Sequence, residues 1–161
     1  MLKFNILNSK ETKHVLEKIS NQYGLDIDKN ELDYIFIQNN DNRLYVVSRG
    51  LGTIDFEKLR IDNIGVYFGE LYTDKIRLSI EGAQIIGPYA KKNIVELDHD
   101  QMIEWIKGND VLFEDCGKDF VIVQYKNPQT GKYDILGCGK YKDGRLMNYV
   151  SKSRKLVVVN E

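Results

Sequence analysis

The stretch NIVELDHDQMIEWIKGNDVLFED, Asn93 to Asp115, decides how the second half of this chain is read. Asn93 to Leu97 is short, apolar and β-branched, which predicts a strand. Asp98 follows, with Gln101 three residues on, the pattern in which an N-cap side chain and the third helical residue satisfy each other's backbone N–H. Met102, Ile103 and Ile106 then predict an apolar helix face, with Trp105 adjoining it. Gly108 is the natural stop, because it takes the left-handed conformation that ends helices. DVLF, Asp110 to Phe113, predicts another short strand. Downstream, DFVIVQYK (Asp119 to Lys126) and YDILGCGKY (Tyr133 to Tyr141) predict strands joined by the loop NPQTG. Asp143-Gly144 predicts a two-residue hairpin turn, and RKLVVV (Arg154 to Val159) a closing strand. One helix among many short strands with turn signals predicts a small barrel or a compact mixed sheet.

Upstream the pattern is α+β. NSKETKHVLEKISNQYG predicts a helix capped by Asn8 or Ser9 and stopped by Gly24, with Val15, Leu16, Ile19 and Tyr23 on one face. DYIFIQ and RLYVVS predict two strands around the turn NNDN, and IGVYFGEL a third. KIRLSIEGAQIIGPYA predicts a short strand, a short helix and a break at Gly87-Pro88. The expected organisation is an α+β unit over residues 1–90 and a small mixed β-barrel over 91–161. No flexible linker separates them, so the two are expected to pack together, with Trp105 and the apolar IEGAQIIG segment in the core or between the units.

A chain of 161 residues suits one domain or two small ones. No apolar run reaches the length that crosses a membrane, and no signal peptide is visible, so a cytoplasmic location is expected. Cys116 and Cys138 form no paired motif and are expected to be reduced. With His14 and His99 the only histidines, no metal site is expected. The net charge of -1 points to no partner class, but the charge is unevenly placed. Glu96 to Asp119 has eight acids against Lys107 and Lys118, whereas Lys140 to Lys155 has six bases against Asp143. The acidic run reads as a solvated face or as a dock for a basic partner. The basic run, with Gly137 and Gly139 leaving bare backbone, reads either as a solvated hairpin tip or as a surface for a polyanion.

These motifs resemble a known family. Asn93 to Asp115 resembles the start of a PUA domain, the RNA-binding module of pseudouridine synthases and archaeosine transglycosylases. ILGCGKYKDGRLMNYVSKSRKL, Ile135 to Leu156, resembles the end of the PUA domain of Nol/Nop/Fmu-type ribosomal RNA cytosine methyltransferases. ETKHVLEKI, NDNRLYVVS, VYFGEL and KIRLSIEGAQIIGPYAK resemble, in order, the N-terminal domain of NIP-type ribosome biogenesis factors. The resemblance to that type weakens after Phe113. The Gly-rich turn for S-adenosylmethionine and the Pro-Cys motif of the methyltransferases are missing from the sequence, so a stand-alone RNA-binding protein is expected.

The resemblance implies structured RNA as the partner, ribosomal RNA first and transfer RNA as the alternative, during ribosome biogenesis or RNA modification. It implies contact at Lys107, Gly108 and Asn109, where the helix-ending Gly lies against RNA. It also implies contact along the basic run, at Gly139, Lys140, Lys142, Arg145, Lys152, Arg154 and Lys155, with Asn148 and Tyr149 free for sugar or base contacts. No catalytic constellation, P-loop or cofactor motif stands out. Cys138 beside Lys140 is the weak candidate for a nucleophile. The chain is therefore expected not to be an enzyme and to need no cofactor. The alternative is a protein-interaction module that docks on an assembly factor, or that supplies RNA targeting in trans to a separate RNA methyltransferase.

Overall fold

In the computed structural model, which describes residues 3–25, 32–49 and 65–150, the first strand, β1 (Phe4–Ile6), leads into helix α1 (Ser9–Tyr23). Asn8 is the N-cap: its side chain accepts from Glu11 N, and Glu11 reaches back to Asn8 N, both at 2.9 Å. Gly24 closes the helix at φ 62°. Strands β2 (Tyr34–Asn39), β3 (Arg43–Ser48), β4 (Val66–Leu71) and β5 (Ile76–Leu78) follow. With β1 they form an antiparallel meander in sequence order. The β2–β3 turn is held by Asn39, whose carbonyl Oδ1 accepts from Asp41 N and Arg43 N. β1 is too short to carry a sequence signal and was not expected.

Helix α2 (Ile80–Ile86) and a 3₁₀ turn (Gly87–Tyr89) lie between this sheet and the next. Gly82 lets α2 press on β4, since a Cβ there would sit 2.1 Å from Phe68 O. Gly87 meets Ile135 of the second sheet, where a Cβ would come within 2.9 Å. The second sheet consists of β6 (Ile94–Leu97), β7 (Val111–Leu112), β8 (Phe120–Lys126), β9 (Tyr133–Lys142) and β10 (Arg145–Asn148). Helix α3 (His99–Ile106) sits between β6 and β7 in the chain. The order is β6-β8-β9-β10-β7, with β6 and β8 parallel and the other pairs antiparallel. A bulge at Val123/Gln124, beside Gly137 at φ 132°, bends the β8–β9 pair and curls the sheet. This is the α+β architecture with a PUA-like half-barrel.

Around Phe120–Val123 the sheet is buried on both faces, which explains why β8 opens with an unbroken apolar run. Val121 and Val123 join Val95, Leu97, Trp105, Val111 and Leu146 in a core beneath α3. Phe120, Ile122 and Cys138, on the other face, share a core with Val15, Ile19, Tyr23, Phe36, Phe68 and Ile76 of the first half. Trp105 is fully buried, so the buried face of α3 is Ile103 and Trp105. Ile106, expected on that face, is only half-buried. The segment IEGAQIIG packs between the sheets, as expected.

A buried amide joins the two halves. Gln22 Oε1 accepts from Ile76 N at 2.8 Å. Its Nε2 donates to Ile76 O at 3.0 Å, to Phe120 O at 3.3 Å and to Tyr23 Oη at 3.0 Å. Asn93, at φ 55°, donates its side-chain N–H to Gln22 O, while Lys91 N and Lys92 N donate to Tyr23 O. The open carbonyls at the end of α1 are thereby paired by the segment that starts the second sheet. Gln22→Ala would strand a buried strand N–H and two carbonyls, and should lower stability by on the order of 2 kcal/mol. A fall in the urea midpoint at unchanged slope would check this.

Candidate nucleic-acid interface

The β9–β10 hairpin turns through Asp143 and Gly144, both left-handed at φ 51° and 81°. That two-residue geometry sets the register: Arg145 lies opposite Lys142, Met147 opposite Lys140 and Asn148 opposite Gly139. Directly opposed residues share a face, and so do alternate residues along a strand. Lys140, Lys142 and Arg145 therefore stand on one face of the sheet. Phe120 shares it, being paired with Lys140 on the other side. Lys142 and Arg145 are exposed, and Lys140 Nζ lies 5.0 Å above the Phe120 ring. No ion pair among the described residues involves any of these three bases.

The same register places Gly139, Leu146 and Asn148 on the opposite face, toward α3. The residues expected to form one surface thus fall on two. On the α3 side, Gly108 takes φ 89° and donates to Trp105 O at 2.9 Å. Lys107 pairs with Glu104 at 3.3 Å, and Asn109 Nδ2 donates to the same carboxylate at 2.8 Å. The Asn109 hydrogen bond first, and then Lys107, hold the Glu104 carboxyl below its usual range. The charge of Lys107 is therefore locally compensated.

Two expectations on this side need correction. Asn148 is not free for sugar or base contacts. Its Nδ2 donates to Trp105 O at 2.8 Å and to Asn109 O at 3.2 Å, and its Oδ1 accepts from Val150 N at 2.8 Å. It closes the open end of α3 onto β10, which ties the Lys107–Asn109 corner to the hairpin. Gly139 does not offer bare backbone to a phosphate either. It is buried, and a Cβ there would lie 2.8 Å from Trp105 Cη2 and 3.1 Å from Leu146 Cγ. The space a side chain would take is filled by the indole. Gly137 is likewise buried, facing Ile80 of α2. Lys152, Arg154 and Lys155, with the predicted closing strand, lie outside the described residues.

Tyr149 belongs to the basic face. It is 42% exposed and packs edge-on against Phe120, with ring centroids 5.7 Å apart. Three residues of this cluster had no sequence signal. Tyr72, just past β4, lies 5.6 Å from Phe120 and is 40% exposed. Arg77 of β5 holds its guanidinium carbon 5.1 Å from the Tyr149 ring centroid and pairs with Glu70 at 2.7 Å. Phe120 forms the floor. Alternation along β5 turns Arg77 away from buried Ile76 and Leu78, but only the meeting of the two sheets brings it to Tyr149. Lys75 also crosses the seam, to Asp119 at 3.2 Å.

Cys138, the candidate nucleophile, is buried in the shared core, and burial pushes its thiol up to about 12. It is no thiolate near neutral pH. Cys116 is half-buried, its thiol also raised, chiefly by burial and then by Asp115 and Glu114. Among the described residues, no group of three or more His, Cys, Asp or Glu side chains is placed to hold a metal. None of their helices is long and apolar enough to cross a membrane.

Two outcomes follow from this geometry. Gly139→Ala should cost about 1–3 kcal/mol through overpacking against Trp105, whereas Lys142→Ala should stay within about 0.5 kcal/mol of the parent, both read from thermal or urea unfolding. Cys138 should resist a thiol-specific reagent in the native chain at about pH 8 and react on unfolding, since its raised pKa leaves almost no thiolate there.

Residues 92–156 match the family described as the methyltransferase RsmF PUA domain. The chain is 28% identical over 142 residues to the ribosomal RNA small subunit methyltransferase F of Vibrio vulnificus, covering 87% of this chain and 28% of that protein. It is 30% identical over 146 residues to the enzyme of the same name from Aeromonas salmonicida, covering 90% and 28%. The corresponding protein of Aeromonas hydrophila is 36% identical over 92 residues, 56% of this chain and 18% of its own. The two longer matches must reach well upstream of residue 92, so the first half is shared with those methyltransferases too. The chain spans about 28% of the length of these two curated relatives. By sequence, the part of the chain at residues 92–156 matches the family of PUA domains carried by the methyltransferase RsmF.

Proposed function

We propose that this chain is a non-catalytic RNA-binding protein that recognises structured ribosomal RNA during ribosome biogenesis or RNA modification in the cytoplasm. One observation carries the reading. The hairpin register stacks Lys140, Lys142 and Arg145 on one face of a PUA sheet, with no ion pair to them among the described residues. Three cations grouped on one face release counterions when they meet phosphates, which favours a polyanion over a neutral partner. The relatives named above are ribosomal RNA methyltransferases, which supports ribosomal RNA over transfer RNA. In this reading residues 91–161 make the RNA contact and residues 1–90 brace it, with no cofactor. Gly108 and its neighbours form a second, weaker point of approach on the α3 side.

The alternative is a module that docks on a methyltransferase or an assembly factor and brings RNA to it in trans. The acids favour it: Glu96, Asp98 and Glu114 line a shallow depression by the hairpin tip. Added chain should then raise methylation of ribosomal RNA by a separate, purified small-subunit cytosine methyltransferase.

The test is fluorescence anisotropy with ribosomal RNA fragments and transfer RNA, at about 50 and about 200 mM salt. The wild-type chain should bind with a log–log salt slope that includes about -0.7 to -0.9 per phosphate contact, hence roughly -2 to -3 from these bases. A Lys140/Lys142/Arg145→Ala variant should lose that part of the slope and bind weakly to all RNAs. Unchanged binding by the variant would place the interface elsewhere.

A further inference from the structure

We infer that the seam between the two sheets is a stacking site for an unpaired nucleotide, with Tyr72 and Tyr149 as its two platforms and Lys140 as its phosphate contact. This rests on the RNA-binding reading above and specifies which part of an RNA the chain takes. Large aromatic rings are normally buried by a fold, yet these two stay 40% and 42% exposed on either side of Phe120, which is only 6% exposed. Phe120 holds both by ring contacts at 5.6 and 5.7 Å, so their outer surfaces are presented rather than left loose. Arg77 stiffens Tyr149 from the first sheet and is itself fixed by Glu70. On its far side Tyr72 lines an open groove beside α1, leaving room for the rest of a nucleotide.

The cations sit where a backbone would run. Lys140 lies over Phe120, the ring that both tyrosines contact, and Lys142 with Arg145 continues the same face toward the hairpin tip. Aromatic platforms beside a line of cations fit single-stranded nucleic acid, whose bases expose their π-faces and whose phosphates follow at regular spacing. A duplex keeps its bases stacked inside and can use only the cations. The site therefore discriminates by strandedness: it selects a loop, bulge or end. It also assigns a ligand role to the first sheet, because Tyr72 comes from there.

The experiment compares a fluorescein-labelled oligouridine with a blunt RNA duplex of equal phosphate count, using Tyr72→Leu, Tyr149→Leu and the corresponding Phe variants. Each Leu variant should weaken oligouridine binding on the order of tenfold and leave duplex binding unchanged. The Phe variants, which keep the ring, should bind like the wild type. Equal loss on both RNAs, or failure of Phe to rescue, would mean that the tyrosines only support the fold and would overturn the inference. Unchanged oligouridine binding by the Leu variants would also overturn it, while leaving RNA binding through Lys140, Lys142 and Arg145 intact. If the wild type bound neither RNA, the underlying reading would fall and the stacking site with it.

Discussion

The amide of Gln22 is where the two halves of the molecule meet. It presents a donor and an acceptor to the open edge of β5, and a donor to the start of β8. Edge strands leave backbone N–H and C=O groups unpaired, and when such an edge is buried those groups need partners. One side chain supplies them for Ile76 at the β5 edge and also pairs the Phe120 carbonyl at the start of β8, an interior strand of the second sheet. Asn93 pairs the helix end from the other direction, so α1 cannot move relative to the second sheet without breaking several buried hydrogen bonds. The seam geometry depends on this: Tyr72, Arg77, Phe120 and Tyr149 are neighbours only while the sheets keep their relative position.

The second sheet is organised around what covers each face. Trp105 lies against Gly139 on one side, filling the room that a side chain would take. That face is committed to packing, and Asn148 commits its polar end by bonding the carbonyls of Trp105 in α3 and of Asn109 just beyond it. The opposite face is packed where it meets α1 and opens out at the hairpin end, where Lys140, Lys142 and Arg145 stand. Packing and charge thus occupy different ends of the same strands. A polyanion can reach the cations without disturbing the core.

Much of the fold was legible in local sequence. Asp98 with Gln101 caps α3, Gly24 and Gly108 take left-handed positions, and Asp143-Gly144 turns the last hairpin. Each depends on interactions between residues a few positions apart. The grouping of Lys140, Lys142 and Arg145 was legible as well, because a two-residue turn and strand alternation dictate it. Gln22 was not. A glutamine near the end of an amphipathic helix reads as a solvent-facing residue, and nothing nearby in the chain shows that strands of both sheets will need its amide. The roles of Gly139 and Asn148 were misread for a related reason. Their side of the strand was fixed by parity, but which side α3 would cover was not.

The sequence by itself determined the elements, their caps and turns, the α+β class and the charge of the last hairpin. These follow from backbone preferences and from periodicities of two and about 3.6 residues, which act over short range. Only the tertiary structure decided that the expected site would divide, with Lys107, Gly108, Asn109, Gly139 and Asn148 on the side of α3 and Lys140, Lys142, Arg145 and Tyr149 on the other. It alone drew Tyr72 and Arg77 to Phe120 and Tyr149. Those choices depend on strand register, on a bulge that curls one sheet, and on how two buried faces pack, all of them contacts between residues far apart in the chain.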